Sequence, residues 1–168
     1  MKVAIGLGSS LGDRRGQLEL AVRRLAAHPG LELLRVSRWY RTPPMRGGTA
    51  RNPFLNGVAL FESALTPDEV LARCVAIEHR AGRRRVSHWG DRTLDLDVLL
   101  IESCVIDRPE LRIPHPGMAY RSFVMVPLLE VWPDAVDPRT GRRWAESSRP
   151  ATPRPVPVGI LAARRGAS

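Results

Sequence analysis

The sequence predicts a single α+β domain, and three observations predict it. Apolar runs of strand length alternate with amphipathic helical stretches, those stretches carry their own start and stop residues, and 168 residues suit one core. Val3 to Leu7 reads as a buried strand, followed by the turn Gly8-Ser9-Ser10-Leu11-Gly12-Asp13. A helix comes next, with Leu18, Ala21, Val22 and Leu25 on one face and Arg14, Arg15, Arg23 and Arg24 mostly on the others, stopped by Pro29-Gly30. Leu31 to Thr42 is expected as a second strand ended by Pro43-Pro44, and Arg46 to Ala50 as a loop. Phe54 to Glu62 is the third strand. Thr66-Pro67-Asp68-Glu69 then opens a helix with a capping box, proline at its first position and acids in its first turn, running to about Ala81 with Gly82 as the stop. Leu94 to Ile101 is the last strand expected, and a shorter helix should lie near Ser122 to Val131.

The order β-α-β-β-α-β-α is the split βαβ pattern of a ferredoxin-like antiparallel sheet with helices packed on one face. We expect the domain to occupy residues 1–138 and a basic, proline-rich tail to occupy 139–168, because Pro150 to Pro157 contains four prolines, which suit neither a helix interior nor a central strand. That tail is expected to lie extended over the domain or to be partly disordered.

Composition narrows the function classes. No run of 18 apolar residues is present and the chain opens directly on Lys2-Val3-Ala4-Ile5, so a soluble, cytoplasmic protein without membrane contact is expected. Two cysteines, Cys74 and Cys104, are too few for a disulfide framework or a four-ligand zinc site, and are expected as reduced thiols. The net charge of +9 invites a nucleic-acid reading, but residues 139–168 hold seven arginines against the single acid Glu146. The charge is concentrated in the tail, so nucleic acid is not an expected partner.

The chemistry is carried by Trp89-Gly90-Asp91-Arg92-Thr93-Leu94-Asp95-Leu96-Asp97. Side chains two apart on a strand leave the same face, so Asp95 and Asp97 stand side by side, with Leu99 and Ile101 expected on that face too. Paired carboxylates in a partly buried place call for a cation, and Mg²⁺ with a phosphate chain suits two acids. Arg83, Arg84 and Arg85 follow the helix stop, with His88 and Arg92 nearer the strand, where arginine forks would clamp phosphates. Taken alone, those arginines would be a solvated charge run. Phe54 and Asn56 share a strand face and could wall and read a flat heterocycle together with the backbone of Thr42-Pro43-Pro44-Met45, although singly each suits a core or a turn. His115, Arg121 and Phe123 are ambiguous in the same way. Gly6, Gly8 and Gly12 do not form a P-loop, because no Gly-Lys-Ser/Thr follows.

In this order, Gly8-Ser9-Ser10-Leu11-Gly12-Asp13, Tyr40 to Met45, Phe54-Leu55-Asn56, Trp89 to Asp97 and Ile113-Pro114-His115-Pro116 resemble the 6-hydroxymethyl-7,8-dihydropterin pyrophosphokinase family over roughly Val3 to Pro133. The resemblance implies a diphosphokinase, a phosphorus-group transferase converting ATP to AMP in folate biosynthesis, with ATP and the hydroxymethyl dihydropterin as small-molecule substrates. It implies two Mg²⁺ ions on Asp95 and Asp97, catalytic roles for Arg83, Arg85 and Arg92, and ATP contacts from Arg83, Arg85, His88, Trp89, Arg92, His115 and Arg121. It also implies pterin contacts from Thr42, Pro43, Met45, Phe54, Asn56 and Phe123, and a monomer is expected. Three positions depart from the pattern. His88 stands where many members have arginine, Asp91 where proline is usual, and Ser10 where asparagine is common. Asp91 is thereby expected to add negative charge beside the metal carboxylates. Two alternatives remain: a catalytically impaired pterin-binding homologue, and an RNA-binding module on the same fold, which would need exposed aromatics on the central strands.

Overall fold

The computed structural model describes residues 1–44, 49–82, 90–147 and 154–159. Strand β1 (Lys2–Ser9) lies inside an antiparallel sheet between β4 (Phe54–Ser63) and β5 (Asp95–Ile101). Strands β2 (Leu31–Val36) and β3 (Trp39–Thr42) pair with successive parts of the other side of β4, and β8 (Val156–Gly159) adds to β3. The order β5-β1-β4-β3-β8, with β2 also on β4, is the ferredoxin-like arrangement extended by one strand.

Helices α1 (Arg14–Ala26) and α2 (Pro67–Arg80) begin where the sequence places their caps. The Asp13 side chain accepts from the Gly16 amide at 3.0 Å, and Thr66 and Glu69 close a reciprocal capping box. Both helices cover one face of the sheet. Leu18, Val22 and Leu25 of α1 and Val70, Cys74 and Ile77 of α2 join Ile5, Leu7, Phe61, Leu96 and Val98 in one core. Burial pushes the Cys74 thiol up to about 12, so it packs as a small hydrophobe, while both cysteines are unpaired as expected. Only α1 and α2 keep to the one face expected for the helices; α3 (Ser122–Val131) lies on the opposite face, because its Met125, Leu128 and Val131 meet the apolar side chains Ala4, Val58, Leu60 and Leu100 there. Glu130 ties α3 to β3, accepting from the Tyr40 hydroxyl at 2.5 Å and from the Arg38 amide at 3.0 Å.

Two strand expectations are corrected. Leu31 to Thr42 is not one continuous strand, because Ser37 interrupts the ladder: its hydroxyl accepts from the Val58 amide at 2.9 Å and donates to the Arg38 carbonyl at 2.7 Å. On β5, Ile5 pairs with Val98 but Ala4 pairs with Leu100, so Leu99 is an extra, bulged residue. Asp97 and Leu99 keep to the α3 side, whereas Ile101 falls in the α1/α2 core instead of sharing their face.

Further elements were not foreseen. Strands β6 (Ile106–Arg108) and β7 (Leu111–Ile113) form a hairpin, a 3₁₀ turn spans Met118–Tyr120, and the short helix α4 (Trp144–Ser147) brings Trp144 into the second core at 2% exposure. In the tail, Pro157 sits on an edge strand, the one place in a sheet where a missing amide is tolerated.

Gly57 of β4 lies under the fully buried ring of Trp39, where an added Cβ would come within 2.5 Å of two ring carbons. The ring is enclosed and cannot step aside. Gly57→Ala is therefore expected to lower stability by about 1–3 kcal/mol through overpacking, read as an earlier urea midpoint. An unchanged midpoint would mean that Trp39 does not rest on this backbone.

Candidate active site

Two rows of residues cross the central strands. Gly8 of β1 stands between Asp95 of β5 and Asn56 of β4, and Gly6 stands between Asp97 and Val58. A Cβ on Gly8 would lie 3.2 Å from the Asn56 Oδ1, and one on Gly6 would lie 3.1 Å from the Leu99 side chain. The glycines thus form a bare floor between a carboxylate wall and an amide wall, beneath a cavity of about 280 Å³. Sequence reading set these glycines aside once they failed as a P-loop. The usable signal was their alternation on one face of a strand whose other face carries Ile5 and Leu7.

Basic side chains from three segments face the acidic wall. Arg92 forms an ion pair with Asp95 and is held by the β1–α1 loop: its amide donates to the Ser10 hydroxyl at 2.9 Å, and its carbonyl accepts from the Ser10 and Leu11 amides. His115 follows the cis Ile113–Pro114 bond, and its amide donates to the carbonyl of the bulged Leu99 at 2.8 Å. Its buried Nδ1 has no hydrogen-bond partner among the described residues. Arg121 precedes α3, and its carbonyl accepts from the Val124 and Met125 amides, which fixes where the helix begins. Burial raises the Asp97 pKa, and the charge on Asp95 raises it further; His115, Arg92 and Arg121 oppose the shift.

The opposite wall is neutral. The Asn56 Nδ2 donates to the Thr42 Oγ1 at 2.8 Å, which orients the carboxamide, while Pro43, Phe54 and Phe123 supply apolar surface.

Every predicted site residue that is described lines this one cavity: Thr42, Pro43, Phe54, Asn56, Arg92, Asp95, Asp97, His115, Arg121 and Phe123. Met45, Arg83, Arg85, His88 and Trp89 lie outside the described residues. Sequence reasoning missed the lining contributions of Gly6, Gly8, Gly90 and Val124. The expectation for Asp91 is corrected, because its carboxylate accepts from Arg51 and Asn52 and does not line the cavity.

Among the described residues no group of three His, Cys, Asp or Glu side chains could hold a metal. The donors on offer are two hard carboxylates, one of them held above its usual pKa by burial and its neighbour. Such a pair suits Mg²⁺, which retains waters and takes phosphate oxygens for its remaining positions.

Comparison with known proteins is consistent with this geometry. Residues 4–133 match the family described as 7,8-dihydro-6-hydroxymethylpterin-pyrophosphokinase (HPPK). A 2-amino-4-hydroxy-6-hydroxymethyldihydropteridine pyrophosphokinase from Synechocystis is 41% identical over 82% of this chain and 70% of its own length. One from Methylorubrum extorquens is 42% identical over 79% of this chain and 83% of its own. The crystal structure of wild-type Plasmodium falciparum HPPK-DHPS with pteroate superposes at a TM-score of 0.67 over 88% of this chain, at 10% identity, and supports the fold alone. This chain covers 43% of that longer one. With residues 4–133 matched, the chain belongs to the 7,8-dihydro-6-hydroxymethylpterin-pyrophosphokinase family.

Proposed function

We propose that this cavity is where the chain transfers the terminal diphosphate of ATP to 6-hydroxymethyl-7,8-dihydropterin, giving the pterin diphosphate and AMP in folate biosynthesis. The observation that carries the assignment is the division of one cavity into an acidic, arginine-bearing wall and a neutral wall of carboxamide, hydroxyl and aromatic groups, separated by bare glycine backbone.

In this reading the phosphate chain lies along β5. Arg92 and Arg121 neutralise phosphate charge, and His115 supplies a further polar contact; the family resemblance adds Arg83, Arg85, His88 and Trp89 as ATP contacts. Asp95 and Asp97 would hold the two Mg²⁺ ions the resemblance implies, which when bound would supply neutralisation of the phosphate oxygens and Lewis-acid polarisation. The pterin lies against the neutral wall, enclosed by Phe54 and Phe123, with Asn56 and the Thr42, Pro43 and Met45 segment reading its hydrogen-bonding edge. The hydroxymethyl oxygen attacks the β-phosphorus as the bond from that phosphorus to the α,β-bridging oxygen breaks. AMP leaves with the bridging oxygen, and the hydroxyl proton passes to solvent. Holding both substrates in one half-enclosed place removes the entropy of their encounter and orients the attack.

The function unit is taken as residues 1–138 with 139–168 as an appended tail, although Trp144 shares the second core. Both cores close within one chain, which supports a monomer, and a cytoplasmic location suits a folate enzyme. No helix of the described residues is long and apolar enough to cross a membrane.

Incubation with ATP, Mg²⁺ and the hydroxymethyl dihydropterin, with adenine nucleotides resolved by chromatography, is expected to give AMP only when pterin is present. Pterin binding without AMP would instead favour the catalytically impaired homologue. Asp97→Ala is expected to cut turnover by at least about 10³-fold while pterin binding stays measurable, in keeping with the loss of a metal-held phosphate. Turnover retained within tenfold would sink the metal assignment.

Asp97 also sets a stability test. Because folding raises its pKa, the protonated carboxyl favours the fold at low pH, and that contribution is lost as pH rises through the raised folded value. Asp97→Asn cannot ionise. Without divalent metal it should melt a few degrees above wild type near neutrality, and the gain should shrink toward the ordinary carboxylate range. Scanning calorimetry showing no gain at neutral pH would contradict the buried-charge reading.

A further inference from the structure

We infer that Asp91 is a positioning residue that fastens the segment leading into Phe54 to the segment leading into Asp95, and so sets the spacing between the pterin wall and the phosphate wall. The inference rests on the assignment of those walls above. The Asp91 Oδ2 accepts from the Arg51 amide at 3.2 Å and from the Asn52 Nδ2 at 2.9 Å, while its Oδ1 accepts from the Asn52 amide at 3.2 Å. Burial alone would raise its pKa, but these bonds and the neighbouring Ser10 hydroxyl hold it below the usual carboxylate value. At neutral pH the latch is therefore fully ionised and at its strongest as an acceptor.

Its neighbours on both sides are site residues. Gly90 and Arg92 line the cavity, and the clasped residues Arg51 and Asn52 lie between two further lining positions, Ala50 and Phe54. The next residue of that segment is fixed independently, since Arg14 at the start of α1 donates to the Pro53 carbonyl at 2.9 Å. The phosphate side has its own fastening through Ser10, Leu11 and Arg92. Loss of Asp91 should thus release Arg51 and Asn52, while Pro53 keeps its Arg14 contact and Arg92 stays seated. The carboxylate touches neither substrate in this arrangement, so it acts through position alone.

The experiment measures pterin binding at equilibrium by fluorescence, and separate KM values for pterin and ATP, in Asp91→Ala and Asp91→Asn. Asp91→Ala is expected to weaken pterin binding and raise its KM roughly fivefold to tenfold, with the ATP KM kept within about twofold, as for loss of a charge-assisted acceptor on one wall. Asp91→Asn keeps one acceptor oxygen but turns an NH2 toward the remaining donor, and should recover only part of the loss. Pterin binding within about twofold of wild type in Asp91→Ala would overturn the proposal, as would equal weakening of both substrates alongside a lowered melting temperature. Should Asp91→Ala not fold, Asn52→Ala decides, since it removes one donor and is expected to move pterin binding in the same direction by a smaller factor; no movement would overturn the proposal. A wild-type chain that binds pterin but releases no AMP would sink the transfer assignment while leaving the latch readable from binding alone.

Discussion

Two carboxylates share one wall of a half-enclosed cavity, and the surrounding structure answers to the charge they carry. Two positions apart on a strand, such groups stand about 6–7 Å from each other, and at an effective dielectric of about 20 they repel by roughly 2–3 kcal/mol. An exposed ion pair returns about 1 kcal/mol at most, so a single surface partner would not balance the pair. The basic side chains that do face it come from three segments, each fixed by a different backbone device. Arg92 is seated by the Ser10 loop, His115 by the bulge carbonyl of Leu99, and Arg121 by the turn that starts α3. Burial still leaves Asp97 above its usual pKa, so the wall keeps a demand for positive charge that substrate-bound Mg²⁺ would meet.

Such a wall is sustainable because stability is supplied elsewhere. The α1/α2 face of the sheet carries a continuous apolar core from Val3 to Ile113, with the large side chains Phe61, Leu18 and Leu25 fully excluded from water. Each such side chain contributes about 1.5–3 kcal/mol by burial. The other face is split. α3, Trp132 and Trp144 close one end, and the glycine floor leaves the other open beneath the cavity. The bulge at Leu99 lies at the junction: it turns Ile101 into the first core and directs a free carbonyl toward His115. On this face α3 covers part of the sheet, and Tyr120, the one strongly exposed aromatic among the described residues, sits in the 3₁₀ turn rather than on a strand.

Much of this was legible because the residues that form elements do so for local reasons. The capping box at Thr66, the stop at Gly82 and the alternating pattern of Asp95 to Val98 are short-range signals, and the elements follow them to within a residue or two. What was not legible depends on contacts across the chain. Ser37 breaks a strand only because the Val58 amide stands opposite it, and Leu99 bulges only against the register of β1. Gly6 and Gly8 gain meaning once the walls on either side are known. Asp91 shows the same limit, since its proximity to Asp95 in sequence suggested charge for the metal site, whereas its partners lie some forty residues away.

The tail separates charge from structure in a way that composition alone concealed. Its seven arginines suggested an electrostatic arm, yet the part that joins the sheet, Val156 to Gly159, carries no charge. Nor does it dock by burial: Val156 and Val158 are 60% and 50% exposed. The strand is held by pairing with Trp39, Tyr40 and Arg41, which turns β3 from an edge into an interior strand. Backbone pairing without apolar burial adds little net stability but removes freedom from the strand it joins. That strand ends at Thr42, whose hydroxyl orients the Asn56 carboxamide, so the ordering imposed by β8 is delivered to the neutral wall of the site rather than to any nucleic-acid surface.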